Sequence, residues 1–312
     1  MWPMTERLML LDSASLYFRA FYGVPDRRRT PQEPPTNAVR GFLDMIATLV
    51  TTHAPTHLVA CWDNDWRPAF RVAAIPTYKT HRLASGSDAV EDTPEDLVPQ
   101  VPVIRDALQA LGIARVGADG YEADDVIGTL THLAGGRMPV DVVTGDRDLF
   151  QLVDDAAGVR VLYTARGGVR DADVVTQDFL QAKYAVATGA AYADMATLRG
   201  DSSDGLPGVQ GIGEKTAATL IARYGDLAGV RRALAEGDPQ LKGAQRTRLE
   251  AASDYLDAAP TVVQVARDAP VGDVDGVLPG AVADPVLMSR LAADFGLAGS
   301  FNRVMAAFGI DG

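Results

Sequence analysis

Leu8-Met9-Leu10-Leu11-Asp12 and Leu58-Val59-Ala60-Cys61-Trp62-Asp63 are two short apolar runs, each ending in an aspartate. Runs this short and apolar read as strands buried on both faces, the kind a parallel sheet uses. The strand candidates are 7–12, 58–63, 113–116, 140–144 and 159–163. Between them, residues 37–52, 95–111 and 123–134 place apolar side chains at helical spacing. Strands alternating with helices predict an α/β fold, a doubly wound and mainly parallel sheet covered on both faces. In such a sheet, acids at the carboxyl ends of neighbouring strands converge on one crevice.

Nine carboxylates in five segments fit that placement. They are Asp12, Asp63, then Glu122, Asp124 and Asp125 in Tyr-Glu-Ala-Asp-Asp, Asp146 and Asp148 in Thr-Gly-Asp-Arg-Asp, and Asp201 and Asp204 in Gly-Asp-Ser-Ser-Asp-Gly. Singly, each has an ordinary structural reading. Asp12 could cap a helix, and so could Asp63. The acids of 122–125 suit a helix dipole, and the remaining four could form turns. Together they exceed what capping and turns need. Negative charge crowded in this way stays ionised only where cations hold it. Oxygen-only donors favour hard ions, so two or more Mg²⁺ or Mn²⁺ are expected. Two such ions about 3.5–4 Å apart support in-line displacement at a phosphodiester, which points to a nuclease.

Strand signals fade after about residue 175, so an α/β nuclease core is expected over 1–178 and a helical domain over 179–312. A helix–hairpin–helix pattern lies near 206–222. In it, Gly211 and Gly213 let the backbone approach a ligand, and the helix opening at Lys215 and Thr216 offers free amides to a phosphate. Ile212 would pin the turn to the core. Residues 83–97 are small and acidic without apolar periodicity and read as a mobile loop, in an arch-like position near 79–98. Arg71, Lys79 and Arg82 precede it and could clamp a scissile phosphate. Phe18 could stack on a base, and Arg19 beside it joins the expected DNA contacts. Pro260 to Pro270 reads as extended, followed by an apolar helix near 285–308.

A single cysteine, Cys61, excludes an internal disulfide framework and suits a reducing cytosol. The opening Met1-Trp2-Pro3-Met4 stretch lacks the pattern of a signal peptide, no run is long enough to span a membrane, and a cytoplasmic location is expected. The net charge of −12 argues at first against nucleic acid as a partner. Part of that charge is the acid cluster itself, which bound cations would offset.

Taken in order, Tyr-Glu-Ala-Asp-Asp, Thr-Gly-Asp-Arg-Asp-Leu-Phe-Gln-Leu and Arg-Gly-Asp-Ser-Ser-Asp-Gly-Leu-Pro-Gly-Val-Gln-Gly-Ile-Gly-Glu-Lys-Thr-Ala resemble the 5′-nuclease family. That family includes DNA polymerase I N-terminal domains, phage 5′-exonucleases and flap endonucleases, and the stand-alone actinobacterial flap endonucleases look most alike. The resemblance covers most of residues 7–235 and implies a PIN-like core with a metal-dependent 5′-3′ exonuclease and flap endonuclease activity. The implied substrates are DNA with 5′ flaps, gaps or nicks and RNA–DNA primer hybrids, with DNA polymerase I and ligase as companions in replication and repair. It implies Asp12, Asp63, Glu122 and Asp124 at a first metal site and Asp125, Asp146, Asp148, Asp201 and Asp204 at a second, with Asp124 shared. It also implies phosphate contacts from Arg71 and Lys79, a terminal base against Phe18, and a duplex-gripping hairpin with a bound K⁺. Three positions depart from the family pattern. Ser13 stands for Gly, Gly205 stands for Asn and is expected to loosen Asp204, and a longer spacing to Arg71 lets Asp65 compete with Asp63. A catalytically silent DNA-junction scaffold and a single-strand ribonuclease are the alternative readings.

Overall fold

The computed structural model describes residues 6–30 and 32–310, so Met1 to Thr5 of the opening stretch lie outside it. Six strands form one sheet: β1 (Leu8–Asp12), β2 (His57–Trp62), β3 (Ala114–Gly117), β4 (Val140–Thr144), β5 (Val159–Gly167) and β6 (Asp171–Val175). Their order is β3-β2-β1-β4-β5-β6, parallel throughout except for β6, which pairs antiparallel with β5. The expected α/β class is the one observed. β6 was not expected, because Asp171-Ala172-Asp173 is half polar and the strand is a hairpin return at the sheet edge. The chain moves outward from β1 to β2 and β3, then crosses back to β4. That reversal opens a crevice between the carboxyl ends of β1 and β4, where such sheets place their sites.

Alternate residues of β1 serve the two faces. Met9 and Leu11 pack beneath α1 (Ser13–Gly23), α2 (Asn37–His53) and, after the short α3 (Ala69–Ala74), α4 (Gln100–Leu111). Leu8 and Leu10 face α5 (Ala123–Ala134). α4 starts five residues later than its apolar pattern, because Pro94 and Pro99 hold the preceding chain in turns.

The helical region consists of α6 (Gln177–Tyr184), α7 (Gly189–Arg199), α8 (Glu214–Tyr224), α9 (Leu227–Glu236), α10 (Gly243–Ala251) and α11 (Ser253–Val263). It opens with α6 at Gln177 and has no separate core. One apolar cluster runs from Leu10 and Val142 through Phe150 and Tyr192 to Leu220 and Leu249. Pro260 lies inside α11 rather than in extended chain; extended backbone begins only after Val263. The apolar stretch near 285–308 is two helices, α12 (Pro285–Phe295) and α13 (Ala298–Phe308), split at Gly296 with φ of +65°. They do not extend the helical region. Leu291, Phe301 and Val304 join Phe42 and Ile46 on the other face of the sheet, and Arg303 pairs with Asp44 at 2.7 Å.

The acidic 83–97 segment forms no helix. Its first part folds back through an antiparallel bridge between Leu83 and Glu91, and Arg28 forks onto Asp96 at 3.0 and 2.6 Å. At the opposite end of the sheet, Asp141 is fully buried on β4 and accepts from Arg7 at 2.6 Å and from Arg160 at 2.7 and 3.1 Å. Removing that carboxylate strands two arginines at the strand bases. We expect Asp141→Ala to lower stability by about 1.5–3 kcal/mol; a urea midpoint unchanged from wild type would show the network to be dispensable.

Candidate metal centre and nucleic-acid interface

Asp12 is the last residue of β1 and also the N-cap of α1, so one side chain works for two elements. Its Oδ1 accepts the Ser15 amide at 3.1 Å and its Oδ2 accepts the Thr144 hydroxyl at 2.7 Å. Asp63 follows β2 and accepts the Ala123 amide at the start of α5 at 2.8 Å. Thr144 ends β4, and its hydroxyl oxygen takes the Asp146 amide at 2.9 Å. Asp146 in turn accepts the Asp148 amide at 3.0 Å. The structural roles expected of isolated aspartates are therefore real, and the same residues still line a common space. A cavity of about 610 Å³ is lined by Asp12, Asp63, Glu122, Asp124 and Asp146 together with Lys79, Arg82 and Phe18. Asp201 lies in a neighbouring groove with Arg147 and Arg199. Asp65 lines a third hollow and accepts the Arg67 amide at 3.1 Å, so Asp63 is the acid at the crevice.

Three cations sit among these acids in different ways. Lys79 donates to Glu122 Oε1, and Arg82 donates to Asp204 Oδ1 at 2.8 Å. Arg71 was expected at a phosphate but is 2% exposed, its guanidinium committed to Glu122 and Asp125 at 2.6–2.7 Å. In this conformation its donors are taken up by those carboxylates and by the Val262 carbonyl. Asp125 is equally buried and is absent from the cavity wall, so this conformation does not offer it to an ion. Arg19 turns to the β5–β6 hairpin, donating to the Ala165 carbonyl at 3.3 Å, while Phe18 lines the cavity.

Burial pushes the Asp12 carboxyl up to about 7, aided by the charges on Asp63 and Asp146 and opposed by the Thr144 hydrogen bond. Burial raises Asp63 as well, against the Ala123 amide. Asp124 is held well above the usual range by burial and then by Asp12 and Asp146; Asp148 by burial and then by Asp146, Asp204 and Asp201. Asp204 rises through burial despite Lys79 and Arg82. For Lys79, burial opposes the ammonium, but Glu122, Tyr78 and Asp204 together outweigh it and hold the amine above the usual lysine range. Glu91, from the acidic segment, also reaches the cavity and is raised by burial; nothing in its sequence neighbourhood marks it. Tyr78 and Thr144, which hold Glu122 and Asp12, had only their adjacency to Lys79 and Asp146 as a signal.

The glycine hairpin folds as expected. Gly211 adopts φ of +71°, Ile212 is buried, and Gly213 caps α8 with open space where a Cβ would stand. No side chain caps α8, which leaves its first amides and the exposed Lys215 facing outward. Thr216, one residue on, is partly exposed.

Residues 7–185 match the family described as 5′-3′ exonuclease, N-terminal resolvase-like domain, and residues 187–278 match 5′-3′ exonuclease, C-terminal SAM fold. The chain belongs to the 5′-3′ exonuclease family. A 5′-3′ exonuclease of Streptomyces coelicolor is 57% identical over 301 residues, spanning 95% of this chain and 98% of that protein. One from Mycobacterium tuberculosis is 48% identical over 316 residues, spanning 97% and 98%. The crystal structure of bacteriophage T5 D15 flap endonuclease in a product-like complex with DNA and metal ions shares the fold. Its TM-score is 0.64 at 17% identity, with 97% of this chain and 98% of that one covered.

Within this exonuclease fold the departure at Gly205 has the opposite effect to the one expected. Its φ is +73°, and a Cβ there would fall 2.3 Å from the Thr77 carbonyl. Glycine thus lets the Asp201–Gly205 turn seat on the Lys79 segment, where the Asp204 carbonyl accepts the Lys79 amide at 3.0 Å. It tightens Asp204 rather than loosening it. Ser13, the other exchange, is buried on α1 with a hydroxyl that has no partner among the described residues.

The donor chemistry of this crevice suits hard divalent cations: carboxylates only, several disfavoured as bare anions. Among the described residues no three of these groups already converge as a finished cage, so ion binding requires the carboxylates to close up and Lys79 to share Glu122. The raised carboxyls make a stability test. Unfolded, they ionise near 4; folded, Asp12 holds its proton to about 7. Between those values the folded state binds more protons, so stability is full below about pH 4 for this group and is lost as pH rises through 7. In chelator, the melting temperature should fall by a few degrees from pH 5.5 to pH 8, and divalent cations should restore it at pH 8. A flat profile would contradict the burial of these acids.

Proposed function

We propose that this chain is a structure-specific 5′-3′ exonuclease and flap endonuclease that hydrolyses DNA near 5′ ends with Mg²⁺ or Mn²⁺. The observation that carries the reading is the single cavity in which Asp12, Asp63, Glu122, Asp124 and Asp146 meet Lys79, with Asp148, Asp201 and Asp204 on its flank. Those carboxylates would hold the ions; when bound, such ions neutralise charge developing on the scissile phosphate. Lys79 and Arg82 line the same cavity and would bind the phosphate and stabilise its transition-state charge. Water adds to phosphorus as the P–O3′ bond breaks, giving a 5′-phosphate and a 3′-hydroxyl. Phe18 supports a stacking contact for a base at the mouth.

The α8 amides with Gly211, Gly213, Lys215 and Thr216 would hold duplex by its backbone, so selection follows structure rather than sequence. A K⁺ ion at the hairpin fits the same reading. We place its substrates as DNA with 5′ flaps, gaps or nicks and RNA–DNA primer hybrids, its work beside DNA polymerase I and ligase, and its location in the cytoplasm. No helix of the described residues is long and apolar enough to cross a membrane.

The test is a 5′-labelled flap duplex and its matching single strand, incubated with Mg²⁺, Mn²⁺ or EDTA. Short 5′ products should appear from the flap duplex only with metal, and Asp124→Asn should slow their release by at least about 100-fold. Binding without cleavage in every metal would leave a silent scaffold, and equal cleavage of the single strand would remove the hairpin from the mechanism. In EDTA, Lys215→Ala should weaken duplex binding and reduce the salt slope by about one; an unchanged slope would take that lysine off the backbone.

A further inference from the structure

After α11 the chain runs extended from Gln264 to Ala269, and side chains of the core hold this strap and the last turn of α11 by the main chain. Arg71 Nε donates to the Val262 carbonyl at 3.0 Å. Gln151 donates to the Val263 carbonyl and accepts the Val265 amide, both at 3.0 Å. Asp125 Oδ1 accepts the Ala266 amide at 2.8 Å, and the Thr129 hydroxyl oxygen accepts the Ala269 amide at 3.0 Å. Gly128 makes the approach possible, since a Cβ there would stand 2.6 Å from the Ala266 carbonyl oxygen.

We infer that Arg71 and Asp125, locked by this strap, are positioning residues that fix the Glu122 carboxylate for cation binding. The inference rests on Glu122 being an ion ligand in the function proposed above. Arg71 Nη1 donates to Glu122 Oε2 at 2.7 Å, and the Tyr78 hydroxyl donates to the same oxygen at 2.7 Å. Oε2 is therefore fully engaged, and Oε1 is the oxygen that meets Lys79 at the cavity wall. Asp125 holds the far side of the guanidinium through both its oxygens, at 2.6 and 2.7 Å, while its Oδ2 also accepts the Glu122 amide at 3.1 Å. A planar fork that serves two carboxylates and a carbonyl at once fixes direction as well as charge, which a lysine cannot do. Buried ion pairs add little stability over apolar packing of equal volume. Orientation of Glu122 is the use that accounts for this one.

The experiment is a titration of metal-free protein with Mn²⁺, followed by loss of the free-ion electron paramagnetic resonance signal. Wild type is compared with Arg71→Lys, with Gly128→Ala, which lies off the crevice and disturbs only the strap, and with Asp125→Asn, which keeps the side chain's shape. Duplex binding in EDTA, carried by the α8 hairpin, reports that each variant is folded. Folded variants should bind Mn²⁺ about 10-fold or more weakly with duplex binding unchanged. If wild type binds Mn²⁺ and any folded variant binds it equally well, the positioning role is overturned. If wild type itself binds none, the ion-binding reading fails, and this inference with it.

Discussion

Like charges gathered at the ends of neighbouring strands repel, and everything around the crevice answers that constraint. Parallel pairing of β1, β2 and β4 forces their carboxyl ends to one side of the sheet, so Asp12, Asp63 and Asp146 have no freedom to separate. The protein meets the resulting field in three ways. It donates hydrogen bonds from Ser15, Thr144 and Ala123. It inserts Lys79, Arg82 and Arg71 between the acids. Burial, and after it the charge that remains uncompensated, appears as protons held more tightly than usual on Asp12, Asp124 and Asp148. A site in this condition is favourable for a small, highly charged cation and unfavourable for water alone.

The acids and the parallel strands were legible in the sequence because both are local signals: an apolar run, then an aspartate. β6 was not, since an edge strand with one wet face carries a weak pattern. The fate of Arg71 was not legible either. A basic residue near Lys79 and Arg82 reads as a surface cation, and only the return of Val262 and Ala266, some 190 and 140 positions along the chain in their contacts with Arg71 and Asp125, buries it. The burial of Asp125 was not legible for the same reason. Three acids opening α5 look equivalent in sequence, yet helix geometry turns Asp124 to the cavity and Asp125 to the strap. Gly205 shows the limit of comparing residues by type: its effect depends on the Thr77 carbonyl, which no local pattern brings near.

The acidic balance of the chain is also clearer in three dimensions. Much of the negative charge that argued against nucleic acid is concentrated in the crevice, where Lys79, Arg82 and Arg71 offset part of it and bound cations would offset more. The hairpin that would meet the backbone relies on main-chain amides at the start of α8, which add no formal charge. A duplex grip of this type can coexist with a net charge of −12.

The return of α12 and α13 to the sheet has one more consequence. The helical region leaves the sheet at β6 and comes back to it through the strap, so it is moored at both ends and shares its apolar interior with β1 and β4. A region moored at both ends that also shares a large apolar interior with the sheet moves less freely than one joined by a single linker. The span between the α8 amides and the acid crevice is then set by the core itself, as the marks are on a ruler, and the cut would fall at a fixed reach from where the duplex is held.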